Sequence, residues 1–162
     1  MSVSDLMGEH PPGSMRTTNV AEELARGQIN LHVTVVGPQR QIFEGDAHWV
    51  TLPGFDGQFG VWPRHVAMVA ALGSGPLRIG LPDHSRAEYA VRGAFVSVAN
   101  NVVTILVDQA VAKDEIVEAD ARRELEETNA ALQHPGDDVE FILLLDRRAW
   151  CQARLKLLAS NA

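Results

Sequence analysis

The stretch AFVSVANNVVTILV, Ala94 to Val107, holds two β-type runs, Ala94 to Ala99 and Val102 to Val107, on either side of Asn100-Asn101. Asparagine tolerates the positive φ that a tight hairpin turn demands, so this stretch predicts two antiparallel strands joined by two residues. The same pattern extends toward the N-terminus. Ile29, Leu31, Val33 and Val35 alternate with Asn30, His32 and Thr34, the period of a strand with one buried face, and Gly37-Pro38 ends the run. A second run, Gln41 to Leu52, carries Ile42, Phe43, Trp49, Val50 and Leu52 and is closed by Pro53-Gly54. Further β-type segments occupy Gln58 to Val61, Val66 to Leu72, Pro76 to Ile79 and Ala87 to Val91, with Pro82-Asp83-His84-Ser85 as a turn before the last. No helix-length crossover separates them, which predicts an antiparallel sandwich or barrel in preference to a parallel sheet.

After Lys113 the period changes from that of a strand to that of a helix. Ile116 or Val117, Ala121, Leu125, Thr128 and Leu132 form a stripe, with Asp114 and Glu115 placed in the first turn, where acids favour the helix dipole. His134-Pro135-Gly136 stops this helix. Asp137 or Asp138 can cap a second one from about Val139 to Leu158, with apolar positions at Ile142, Leu143, Ala149, Trp150, Ala153 and Leu157. The short connection makes the helices antiparallel neighbours. Their charges are complementary: Asp114 to Gln133 holds seven acids and two bases, whereas Val139 to Ser160 sets Glu140 and Asp146 against Arg147, Arg148, Arg154 and Lys156. The expected class is α+β, with a disordered extension over residues 1–28, an antiparallel β-domain, sandwich or barrel, over 29–112 and a C-terminal helical hairpin over 113–160.

Composition narrows the function. The 162 residues are 46% hydrophobic and 22% charged, and 21 acids against 14 bases give −7, a poor background for binding nucleic acid. No apolar run approaches the roughly 20 residues that cross a bilayer, and no secretory signal follows Met1. The single cysteine, Cys151, reads as a structural thiol of a reducing compartment. No two of His10, His32, His48, His65, His84 and His134 stand at metal-ligand spacing on one helix face. Gly54, Gly57 and Gly60 read as turn and bulge residues, not as a phosphate cradle, and neither a P-loop nor a nucleophile elbow is present. With no catalytic constellation, the residues describe a protein that works by contact. A free-standing adaptor or ligand-binding module with a dimerising hairpin is one form of that reading.

GQFGVWPRH, Gly57 to His65, resembles the G-E-L-G-I-x-P-G-H stretch of the epsilon subunit of bacterial and chloroplast F-type ATP synthases, whose mitochondrial counterpart is the delta subunit. Gly57, Gly60, Pro63 and His65 match, while Gln58 and Arg64 stand where the family has Glu and Gly. Ile29 to Gly45 is similar to the family's opening strands, and Val91 to Ala110 to its G-G-F-L-x-V and V-T-I-L hairpin, with Ala94 in place of the second glycine. The resemblance, over roughly Ile29 to Leu158, implies a noncatalytic rotor subunit. Its ten-stranded sandwich would bind the gamma subunit and the membrane c-ring, peripheral on the cytoplasmic face of a bacterial membrane, and proton-driven rotation would pass through it to the catalytic alpha and beta subunits. It further implies that Gln58, Arg64 and His65 meet the c-ring or gamma at one ring-facing end. Arg147, Arg148, Arg154 and Lys156 would serve an inhibitory opening of the hairpin, or pair with Glu124, Glu126 and Glu127 when it is closed. Some members bind ATP through an I/L-D-x-x-R-A motif. Neither Val139 to Leu144 nor Leu145-Asp146-Arg147-Arg148-Ala149 matches it, so ATP binding is expected to be weak or absent.

Overall fold

The computed structural model describes residues 29–160. The extension read over 1–28 lies outside them. Ten strands are followed by a single 3-10 turn and two helices. The strands are β1 Leu31–Val36, β2 Gln41–Ala47, β3 Trp49–Gly54, β4 Gly57–Val61, β5 Met68–Ala71, β6 Gly75–Gly80, β7 Arg86–Arg92, β8 Phe95–Ala99, β9 Val102–Leu106 and β10 Gln109–Ala112. They form two five-stranded sheets, ordered β2-β1-β9-β8-β5 and β10-β7-β6-β3-β4. The β8–β9 hairpin forms as its sequence requires: Asn100 and Asn101 lie at φ 51° and 62°, between the paired residues Ala99 and Val102.

Two strand assignments change. The run read as continuous from Gln41 to Leu52 breaks at His48, where the chain leaves one sheet and its N–H donates to Gly80 O at 2.7 Å in the other. One continuous strand cannot serve both layers. The sheets are antiparallel as expected except at one pair, where β1 lies parallel to β9. Seven strands separate these two in the chain, so their pairing needs no crossover helix. β10 has no counterpart in the alternation reading. Between the sheets, Leu31, Val33, Val35, Val96, Val98, Val103 and Ile105 meet Val50, Leu52, Leu77, Ile79 and Val91, and every one of them is buried. At about 1.5–3 kcal/mol per fully buried aliphatic side chain, this layer is the main source of the sandwich's stability.

The helices are α1 Glu118–Leu132 and α2 Asp138–Ala159. Asp114 and Glu115 are not in the first turn of α1; they belong to the 3-10 turn Lys113–Glu115. Ile116 and Val117 then run extended, and Ile116 packs against the apolar cluster under α2. That anchoring delays the helix by one turn. Asp137 caps α2 by accepting from Glu140 N–H at 2.7 Å, and the Glu140 carboxylate in turn accepts from Gly136 N–H at 2.7 Å. This is a near relative of the capping box. Ile142 and Leu143, expected on the apolar face, are 64% and 61% exposed. Arg92, the last residue of β7, already bonds Asp146, so the strand beneath ends before the first two turns of α2.

Candidate interaction surfaces

The two outer faces of the sandwich are unlike. On the β10-β7-β6-β3-β4 sheet, Ala90 is fully buried with Trp150, Ala153 and Leu157 of α2, and Val111 and Ile116 close the cluster. Arg92 bonds Asp146 along the helix. At its end, Arg78 Nη2 donates to Ser160 Oγ at 2.7 Å and Lys113 Nζ to Ser160 O at 2.8 Å. Glu88 accepts from both cations, at 3.2 Å each. The hairpin is therefore docked on this sheet by apolar contact and by polar ties some fourteen residues apart along α2.

The other outer face is bare among the described residues. Its outward positions are Val69 and Ala71 on β5, Phe95, Ser97 and Ala99 on β8, and Val102, Thr104 and Leu106 on β9. Phe95 and Leu106 stand opposite each other across the strands and are 56% and 52% exposed. Toward β2 the face becomes charged: His32 lies 3.3 Å from Asp46 and 3.2 Å from Glu44. Hydrogen bonds to Asp46, then Glu44, raise the His32 pKa above its usual value. An apolar half and an acidic half on one uncovered sheet suit a surface that meets another protein.

The three residues read as a single ring-facing contact do not come together. Gln58 sits opposite Pro53 beside the Gly54–Gly57 turn, whereas Arg64 and His65 follow the far end of β4. The strand length between them is about 13 Å at the usual rise per residue. Gln58 instead shares a groove of about 240 Å³ with Gln152, Ala153 and Lys156 of α2. Arg64 occupies φ 69°, which explains glycine in the family pattern there, and its N–H donates to Asn101 Oδ1 at 2.6 Å. His65 Nδ1 lies 2.8 Å from Val66 O. Gly57, at φ 125°, makes the turn, and a Cβ on Gly60 would lie 2.1 Å from the Trp62 ring that covers it.

Of the basic residues on α2, Arg147 and Arg154 both bond Glu124 of α1, at 3.2 Å and 2.5 Å. Arg154 also stacks over the Trp150 ring, 5.2 Å from its centre. Arg148 and Lys156 form no ion pair among the described residues, and Glu126 and Glu127 are not the partners. Burial pushes the Glu124 carboxyl up, but hydrogen bonds from Arg154 and Arg147 outweigh it and hold the pKa below the usual value. A carboxyl lowered on folding stabilises above its unfolded pKa of about 4.5 and loses that contribution as pH falls through the folded value. The helical signal is therefore expected to melt at lower temperature on acidification through that range, and Glu124→Gln to flatten this dependence; circular dichroism melts against pH read it.

Residues 30–113 match the family described as "ATP synthase, Delta/Epsilon chain, beta-sandwich domain". The chain belongs to the ATP synthase delta/epsilon family. The ATP synthase epsilon chain of Laribacter hongkongensis is 40% identical over 111 residues, covering 68% of this chain and 79% of that one. The epsilon chain of Nitratiruptor is 30% identical over 118 residues, 73% of this chain and 92% of that one. In fold, the chain is similar to one in the cryo-EM structure of Euglena gracilis mitochondrial ATP synthase, with a TM-score of 0.73 at 21% identity over 99% of this chain and 96% of that one. No helix among the described residues of this epsilon-type chain is long and apolar enough to cross a membrane.

Proposed function

We propose that this chain is a noncatalytic subunit of the ATP synthase central stalk, coupling rotation of the c-ring through gamma to ATP synthesis in the catalytic head. It would reach the cytoplasmic face of the bacterial membrane through those partners. The observation that carries this reading is the asymmetry of the sandwich: one outer face is covered by the chain's own hairpin and the other is bare and apolar around Phe95 and Leu106. The bare face is assigned to gamma. Because Gln58 and Arg64–His65 lie at opposite ends of β4, they address different partner surfaces.

Arg147, Arg148, Arg154 and Lys156 form the part of the hairpin that restrains ATP hydrolysis when α2 leaves the sandwich. In the docked state Glu124 occupies two of them, and Arg148 and Lys156 stand ready for an acidic partner. ATP finds no ready site, since Asp146 is tied to Arg92 and Arg147 to Glu124. Removing everything after Lys113 and reassembling the complex is expected to raise ATP hydrolysis severalfold. Unchanged hydrolysis would assign the hairpin a structural role only.

A further inference from the structure

The two lateral sides of the sandwich are defended differently. The β2 edge carries Glu44 and Asp46, charges of the kind that deter strand addition. The β5 edge carries none. From Gly57 to Leu77 the only Lys, Arg, Asp or Glu is Arg64. Val69, Phe55 and Val66, at 79%, 77% and 75%, are the most exposed large apolar residues among those described.

Backbone register shows what that edge offers. Leu72 N–H donates to Ala94 O at 2.8 Å, and β5 pairs antiparallel with β8 through Met68↔Val98 and Ala70↔Val96. Hydrogen-bonded pairs alternate along such a ladder, so Ala70 and Met68 bond to β8. Val69 and Ala71 then aim their N–H and C=O groups away from the sheet, where no strand lies among the described residues. Arg64, close before this strand in the chain, has no carboxylate partner among the described residues and is kept in a left-handed backbone by the Asn101 side chain.

We propose that the β5 edge accepts an extended segment of a neighbouring subunit as a sixth strand, bonded to Val69 and Ala71, apolar toward Val69 and carrying a carboxylate that meets Arg64. This rests on the reading of the chain as an ATP synthase subunit and names the form of one of its contacts. Strand addition supplies affinity through the main chain and specificity through the side chains beside it.

The test uses the full chain added to ATP synthase depleted of it. Hydrogen exchange at the Val69 and Ala71 amides is expected to slow at least tenfold on assembly. Ala71→Pro, which removes an outward N–H and spares the bonds to β8, is expected to weaken assembly at least tenfold with its melting temperature nearly unchanged, and Arg64→Glu to weaken it as well. Should the proline variant fold poorly, the exchange measurement on the unaltered chain decides. An unaltered chain that joins the complex while both amides exchange as freely as before overturns the edge proposal alone. One that never joins the complex overturns the subunit reading with it.

Discussion

Trp150→Ala is expected to release the helical hairpin from the sandwich while leaving the two sheets folded. Trp150 is 4% exposed and sits in a small cluster with Ala90, Ala153 and Leu157, none of which can fill the space left by an indole. Truncating a buried tryptophan costs about 3–5 kcal/mol. The sandwich core does not include Trp150, so the loss falls on docking. The ties left behind are the smaller apolar contacts of Ala153 and Leu157, two part-buried bonds to Ser160 and the Arg92–Asp146 pair, a partly exposed pair of a kind that contributes only about 0–1 kcal/mol. Amides of α1 and α2 are expected to lose hydrogen-exchange protection while those of β1, β8 and β9 keep theirs. Equal loss throughout would mean that hairpin and sandwich form one cooperative unit.

The second large effect belongs to the opposite face. Phe95→Asp and Leu106→Asp replace outward side chains that are more than half exposed, so the isolated chain is expected to melt within a few degrees of the original. Assembly is another matter. If this face is buried against gamma, each change puts a carboxylate at the centre of an apolar contact, and a hot-spot loss of at least 2 kcal/mol, about thirtyfold in affinity, is expected. Thr34→Asp, nearer the charged side of the same sheet, is expected to do much less. Titrating each variant into the depleted complex and measuring the bound fraction checks the order.

Much of this was legible in the residues because local chemistry fixed it. Asn100-Asn101 between two Val-rich runs marked a tight turn, and Asp137 or Asp138 could be read as a cap, Asp137 being the one that accepts from Glu140 N–H. The parallel pairing of β1 with β9 was not readable, since alternation reports which face of a strand is buried and not which strand lies beside it. β10, Gln109-Ala110-Val111-Ala112, is too short and small-sided to show a period. The bare face was hidden for a related reason: in β8, Phe95 points outward and Val96 inward, so both faces read as apolar until the sheets are seen. Ile142 and Leu143 fit the helical stripe, yet the strand that should cover them ends at Arg92. Gln58 and His65 share one motif and were read as one site, but a strand separates residues that a motif lists together.

The central claim is that this chain works as a part bound within the ATP synthase. Recovering the tagged full chain from detergent-solubilised membranes and identifying what accompanies it tests that claim most directly. Gamma, the c subunit and the catalytic subunits are expected in constant proportion to the chain. Recovery as a free dimer with none of them would contradict the claim and favour an adaptor that dimerises through its helices.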